Sequence, residues 1–131
     1  MNYEIRYSKL NERQKQAVNT IEGPVMVVAG PGTGKTELLS MRVANILRRT
    51  DMLPENILCL TFTESGSIAM QKRLVDIIGR EAYGVSVFTF HAFGSEIISR
   101  YREYFYNGAD FNPADELTRH KIITDILQEL P

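Results

Sequence analysis

An α/β fold built on a parallel sheet is predicted by two observations along the 131 residues. Short apolar runs recur three times, at residues 25–29, 57–62 and 85–88, and each is followed by a stretch in which apolar residues repeat at helical spacing. Strands that alternate with helices in this order form parallel sheets with right-handed crossovers.

The elements follow in turn. Asn11 suits a helix N-cap, and Gln14 three positions later can complete a capping box; Ala17, Val18 and Ile21 supply the apolar face before Gly23-Pro24 stops the helix. Val25-Met26-Val27-Val28-Ala29, with three β-branched residues, has the pattern of a strand covered on both faces. A glycine-rich turn at 30–34 leads into a helix from Lys35 to about Arg49. Leu39, Val43, Ile46 and Leu47 recur along it, and Arg48 and Arg49 stand where cations favour a helix C-terminus. A loop at 53–56 precedes the second strand, 57–62. Met70, Leu74, Ile77 and Ile78 mark a second amphipathic helix closed by Gly79. Residues 85–88 read as a third strand, followed by a helix with Phe93, Ile97 and Tyr101 on one face.

The end differs. Residues 104–108 break the pattern, and Asn112-Pro113 is expected to cap a last helix striped by Ile123, Ile126, Leu127 and Leu130, with no strand after it. The organisation predicted is an α/β unit over 1–104 and the start of something further over 105–131.

Fifteen Lys and Arg against sixteen Asp and Glu leave a net charge of −1, so any contact with nucleic acid must come from local residues rather than bulk charge. Cys59 is the only cysteine, which excludes a disulfide framework, and with His91 and His120 far apart a zinc site lacks ligands. Cys59 is expected to be an inert core thiol. No secretory signal and no apolar stretch of about 20 residues is visible, so no membrane role is expected and the predicted location is cytoplasmic.

Ala29-Gly30-Pro31-Gly32-Thr33-Gly34-Lys35-Thr36 fits the phosphate-loop pattern GxxxxGK[ST], except that Ala29 stands at the first glycine. Gly32 and Gly34 would let backbone N–H groups turn inward around a phosphate, Lys35 would neutralise β and γ charges, and Thr36 can hold Mg²⁺. The helix that starts at Lys35 adds the positive end of its dipole.

Four signatures together resemble the N-terminal part of UvrD/Rep-type superfamily 1 DNA helicases: Leu10-Asn11-x-x-Gln14-x-x-Ala17-Val18, the Ala-x-x-Gly-x-Gly-Lys-Thr loop, Leu60-Thr61-Phe62-Thr63 with Met70-x-x-Arg73, and Thr89-Phe90-His91. Such helicases often carry Ala at the position of Ala29. The resemblance implies an incomplete RecA-like P-loop NTPase sheet flanked by helices over 1–104, with 105–131 beginning an inserted helical subdomain. It implies ATP and Mg²⁺ as cofactors, held by Gln14, Ala29, Gly30, Pro31, Gly32, Thr33, Gly34, Lys35 and Thr36. Lys35 and Thr36 would carry the catalytic roles and Thr36 the metal. Gln14 would read the adenine edge, although its residues equally allow a role confined to the capping box. Phe62, Thr63, Thr89 and His91 would face single-stranded DNA; from the residues alone, Phe62 can instead be core and His91 a capping or packing residue. The partners implied are single-stranded DNA, held weakly, and the remainder of the motor.

Two departures stand out. Glu64-Ser65-Gly66-Ser67 replaces the Asn-Lys-Ala-Ala common in the family, and Glu37 stands where a basic residue is usual, as a first-turn acid favoured by the helix dipole. The family's Asp-Glu pair after a strand, its water-positioning Gln and its arginine fingers have no counterparts here, since Asp115-Glu116 reads as a helix start. The chain is therefore expected to bind nucleotide without turning it over. A small P-loop phosphotransferase and a non-catalytic nucleotide-binding module are the competing readings.

Overall fold

The computed structural model describes residues 3–105 and 114–129. The chain divides into two compact units, one ending at Phe93 and the other starting at Gly94.

The first unit opens with a helix that sequence patterning did not predict, α1 (Tyr3–Ser8). Six residues are too few to hold a helix in water by propensity alone, so its support is tertiary. Tyr3 is 5% exposed and stacks on Tyr7 with ring centroids 5.7 Å apart. Its hydroxyl donates to Asn45 Oδ1 at 2.9 Å, and the Arg48 guanidinium lies 4.1 Å above its ring. Burial of the phenol raises its pKa, since the phenolate would lose its hydration there.

The capping box forms as expected at the start of α2 (Glu12–Asn19): Gln14 N–H donates to Asn11 Oδ1 at 2.9 Å, and Asn11 N–H to Gln14 Oε1 at 3.0 Å. The helix ends at Asn19, before Ile21. Two carbonyls in its last turn, which have no partner along the helix, are satisfied from the next one: Ala17 accepts from Arg42, and Val18 from Asn45 Nδ2 at 2.9 Å.

Helix α3 (Lys35–Arg49) runs with the predicted bounds and buries Leu38, Met41, Val43 and Ala44 together with Ser40 and Asn45. Leu39, expected on the apolar face, is 49% exposed, because the buried stripe is centred one position earlier, on Leu38 and Met41. Strand β1 (Leu58–Thr61) pairs in parallel with β2 (Ser86–Thr89), from Leu58 opposite Ser86 to Thr61 opposite Thr89. The crossover between them is α4 (Glu64–Ile78), closed at Gly79 with φ 71°. A 3₁₀ turn over Gly79–Gly84 then packs close to another at Pro54–Asn56: a Cβ on Gly84 would lie 2.8 Å from Pro54 Cβ.

Two apolar clusters result. Tyr3, Leu10, Val18, Leu38, Met41, Ala44 and Ile77 join α1, α2, α3 and α4. Val43, Ile57, Cys59, Met70, Leu74, Ala82 and Val85 bind the sheet to α3 and α4. Cys59 is a free, buried thiol whose pKa burial pushes up to about 11, in keeping with an inert core role.

The first apolar run corrects the sequence reading. Residues 25–29 form no strand, and Met26 and Val28 are 88% and 90% exposed. A strand needs a hydrogen-bonded neighbour, and the described sheet has two strands, β1 and β2, neither of which pairs with this segment. The α/β class and the parallel pairing hold, while the sheet is smaller than predicted and the chain mostly helical.

Helix α5 (Phe90–Arg100) follows β2 directly. The second unit takes α5 from Gly94 onward and holds a 3₁₀ turn at Arg102–Tyr104 and α6 (Glu116–Glu129), whose start is capped by Asp115, with Oδ1 accepting from Thr118 N–H at 2.7 Å. Hydrogen bonding from the Thr118 side chain, and then from this N–H, favours the carboxylate and lowers the Asp115 pKa. The expected cap at Asn112-Pro113, and Leu130, lie outside the described residues; Ile123, Ile126 and Leu127 are exposed. Among the described residues no helix is long and apolar enough to cross a membrane.

Candidate functional site

The glycine loop between residue 29 and α3 has the backbone that its glycines permit. Gly32 and Gly34 adopt φ of 73° and 79°, a left-handed region costly for other residues. Gly34 is the N-cap of α3 and brings no side chain to the cap, so the first-turn N–H groups are not covered by one. Lys35 folds back over the loop: its Nζ donates to the carbonyl of Gly30 at 2.7 Å and to that of Ala29 at 3.4 Å. Thr33 Oγ1 donates to the same Gly30 carbonyl at 2.7 Å. Thr36 is the second residue of the helix, and Ser40 Oγ donates to its carbonyl at 2.8 Å.

This donor set suits a phosphate, since it joins a lysine ammonium to a helix N-terminus free of a competing side-chain cap. Among the described residues no three His, Cys, Asp or Glu cluster, and the Thr36 hydroxyl at the start of α3 is the candidate magnesium donor at this loop. One hydroxyl suits an ion that keeps most of its shell as water and phosphate oxygen.

Gln14 is brought to this loop. Its Oε1 serves the capping box, while its Nε2 points to the loop carbonyl of Thr33 at 3.4 Å. One amide thus has a structural half and a half turned towards the glycines, so the capping role and a reading role do not exclude each other. Beside it opens a cleft of about 480 Å³ whose walls include Arg6, Lys9, Gln14, Gly34 and Glu37.

Glu37 is more than a first-turn acid. Arg6 Nη1 lies 2.9 and 3.1 Å from its two carboxylate oxygens, and Arg73 Nε 3.3 Å from Oε2. Arg6 Nη2 also reaches Asp76 Oδ2 at 3.7 Å. Sequence reasoning missed this group because Arg6 sits on the unpredicted α1 and Arg73 thirty-six positions after Glu37; only the fold brings them to one carboxylate.

The other predicted residues gather at the carboxyl end of the sheet. Phe62 is 86% exposed and belongs to neither apolar cluster of the described residues. Thr63 caps α4 by accepting from Gly66 N–H at 3.1 Å, where a Cβ on Gly66 would come within 3.1 Å of the same hydroxyl. Thr89 is buried and accepts from Ala92 N–H at 3.1 Å, and His91 is exposed at the start of α5. Phe90, 59% exposed, was not singled out from sequence. The repeated Thr-Phe at 61–62 and 89–90 was the signal available for it. The structure therefore makes two groupings, Gln14 with the loop and the two Thr-Phe ends with each other, while the strand expected to lead into the loop is not formed.

A parallel α/β unit with a lysine-bearing glycine loop at a helix start and exposed aromatics at its sheet edge defines the class. The chain belongs to the UvrD/REP helicase N-terminal domain family, whose model matches residues 10–130. It is 34% identical over 119 residues to the ATP-dependent DNA helicase PcrA of Staphylococcus epidermidis, which covers 91% of this chain and 16% of that protein. It is 43% identical over 89 residues to DNA helicase II of Rickettsia typhi, covering 68% of this chain and 13% of the relative. The PcrA of Staphylococcus aureus is 33% identical over 119 residues. The chain thus spans less than one fifth of the length of these relatives.

Proposed function

We propose that this chain is the ATP-binding N-terminal part of a cytoplasmic DNA helicase, whose whole motor couples ATP hydrolysis to movement on single-stranded DNA and to duplex unwinding. The observation that carries the reading is the approach of Gln14 Nε2 to the Thr33 carbonyl, 3.4 Å, beside a loop in which Lys35 is already aimed inward. A base reader and a phosphate cradle then belong to one site. Family membership and the similarity to named DNA helicases support the same reading.

In this site the backbone N–H groups at 32–34 and the start of α3 would bind phosphate oxygens, and Ala29, Gly30 and Pro31 would shape the turn beneath them. Lys35 would exchange its carbonyl acceptors for β and γ oxygens, and Thr36 would hold Mg²⁺. Magnesium, when bound, neutralises charge on the phosphate oxygens. Gln14 would select adenine through the donor and acceptor of its amide. Phe62, Thr63, Thr89 and His91, joined by Phe90, would lie along single-stranded DNA, the exposed rings stacking on bases. The rest of the motor would contribute the metal-holding acids and the arginines.

The test is calorimetric titration of the chain with Mg-ATP, beside a Lys35→Ala variant. Micromolar to millimolar binding that is lost in the variant is the expected result, and unchanged affinity would overturn the phosphate-loop assignment.

A further inference from the structure

We infer that Arg6, carried by the N-terminal helix α1, is an electrostatic positioning residue of the nucleotide site: with Arg73 it cancels the carboxylate of Glu37, which stands in the helix turn that receives phosphate. The inference rests on the phosphate-loop reading above.

Glu37 is the third residue of α3, two after Lys35, and its side chain is 25% exposed. The helix dipole favours an acid there, yet the same field is what a phosphate would use, so an uncompensated carboxylate competes with the ligand. Here it is compensated twice. Arg6 reaches both oxygens through Nη1, and Arg73 reaches Oε2 through Nε. With Asp76 the group holds two cations and two anions, a neutral set beside the loop.

The orientation of Arg6 is dictated by these acids. Among the described residues its buried Nε has no hydrogen-bond partner, a cost accepted while Nη1 and Nη2 face Glu37 and Asp76. The helix that presents Arg6 is anchored one turn earlier by Tyr3, through its buried ring, its bond to Asn45 and the stacked Arg48. A six-residue helix that could not stand alone thereby delivers a cation to the first turn of α3.

The sign of the effect separates this role from a merely structural one. Arg6→Gln leaves Glu37 under-compensated and is expected to weaken ATP binding about three- to tenfold, ADP less, and adenosine not at all. Glu37→Gln removes the competing charge and is expected to strengthen ATP binding by a similar factor. The double variant should return close to the parent. Calorimetry with ATP, ADP and adenosine at low and high salt reads all of these, and thermal melting reports folding. Loss of ATP affinity in both single variants, or an equal change for all three ligands, would overturn the inference while leaving the nucleotide reading intact. A parent chain with no Lys35-dependent ATP binding would overturn both. If Arg6→Gln does not fold, Glu37→Gln alone decides the question: tighter ATP binding with unchanged adenosine binding supports the inference, and anything else overturns it.

Discussion

Thr61 and Thr89 face each other on the last rung of the parallel ladder, and each is followed by an exposed phenylalanine, Phe62 and Phe90. Parallel strands in register end on the same side, so the two Thr-Phe dipeptides lie at one end of the sheet. Neither ring is part of a buried cluster, so removing one tests binding with little cost in stability.

Phe62→Ala is expected to weaken binding of an oligo-dT by about 1 to 3 kcal/mol if a base stacks there, with the melting temperature almost unchanged. Fluorescence anisotropy at low salt is the measurement. Binding that ignores the substitution would remove Phe62 from the DNA surface.

Gln14→Glu separates the two halves of its amide. Glu keeps an oxygen for the Asn11 N–H but loses the Nε2 donor turned towards Thr33. Thermal stability should hold while the preference for ATP over GTP falls. Retained selectivity would confine Gln14 to the cap.

Asn45 is 2% exposed and bonds two buried partners, the Tyr3 hydroxyl and the Val18 carbonyl. Asn45→Ala leaves both unmatched, which should cost about 2 to 4 kcal/mol in urea unfolding and loosen α1 and α2 first. A loss below about 1 kcal/mol would mean that neither partner depends on it.

Cys59 gives a pH dependence with a defined sign. Its thiol pKa is about 11 in the fold against 9.0 for the free group, so the native state holds its proton where the unfolded chain has lost it. This contribution to stability is complete below pH 9 and is lost as pH rises towards 11. Cys59→Ala should flatten the alkaline decline in stability, and iodoacetamide at pH 8 should label the thiol only after denaturation. Rapid labelling of the folded chain would place the thiol outside the core.

Turnover is expected to be near background. Phosphoryl transfer needs a metal held partly by acids, an oriented water and an arginine over the developing charge, and an arginine finger alone is worth roughly 10³ to 10⁵ in rate. ATPase assays with and without single-stranded DNA, controlled by Lys35→Ala, check this. Robust turnover lost in that variant would reveal a complete site within the chain.

Local signals were the legible ones. The Asn11–Gln14 box, the bounds of α3 and the stop at Gly79 follow from capping chemistry and helical spacing, which act within a few residues. Residues 25–29 failed because apolar, β-branched composition sets strand propensity but supplies no neighbour. Helix α1 was missed for the converse reason: it exists through Tyr3 and Asn45, forty-two positions apart, and no local pattern carries that pairing. The loop and Gln14 were readable as a motif. Glu37, Arg6 and Arg73 were not, since their meeting is a product of helix packing.

Helix α2 is bonded to α3 at its far end, through Arg42 to Ala17 and Asn45 to Val18, and touches the glycine loop at its near end through Gln14. Fastened at both ends, it cannot slide along α3 without breaking buried bonds. In the proposed nucleotide site these bonds would hold Gln14 and Lys35 at a set separation, and the pair would act as a caliper. A nucleotide held there at base and phosphate together would have to match that span, so one lengthened between ribose and phosphate would have to release one jaw to keep the other.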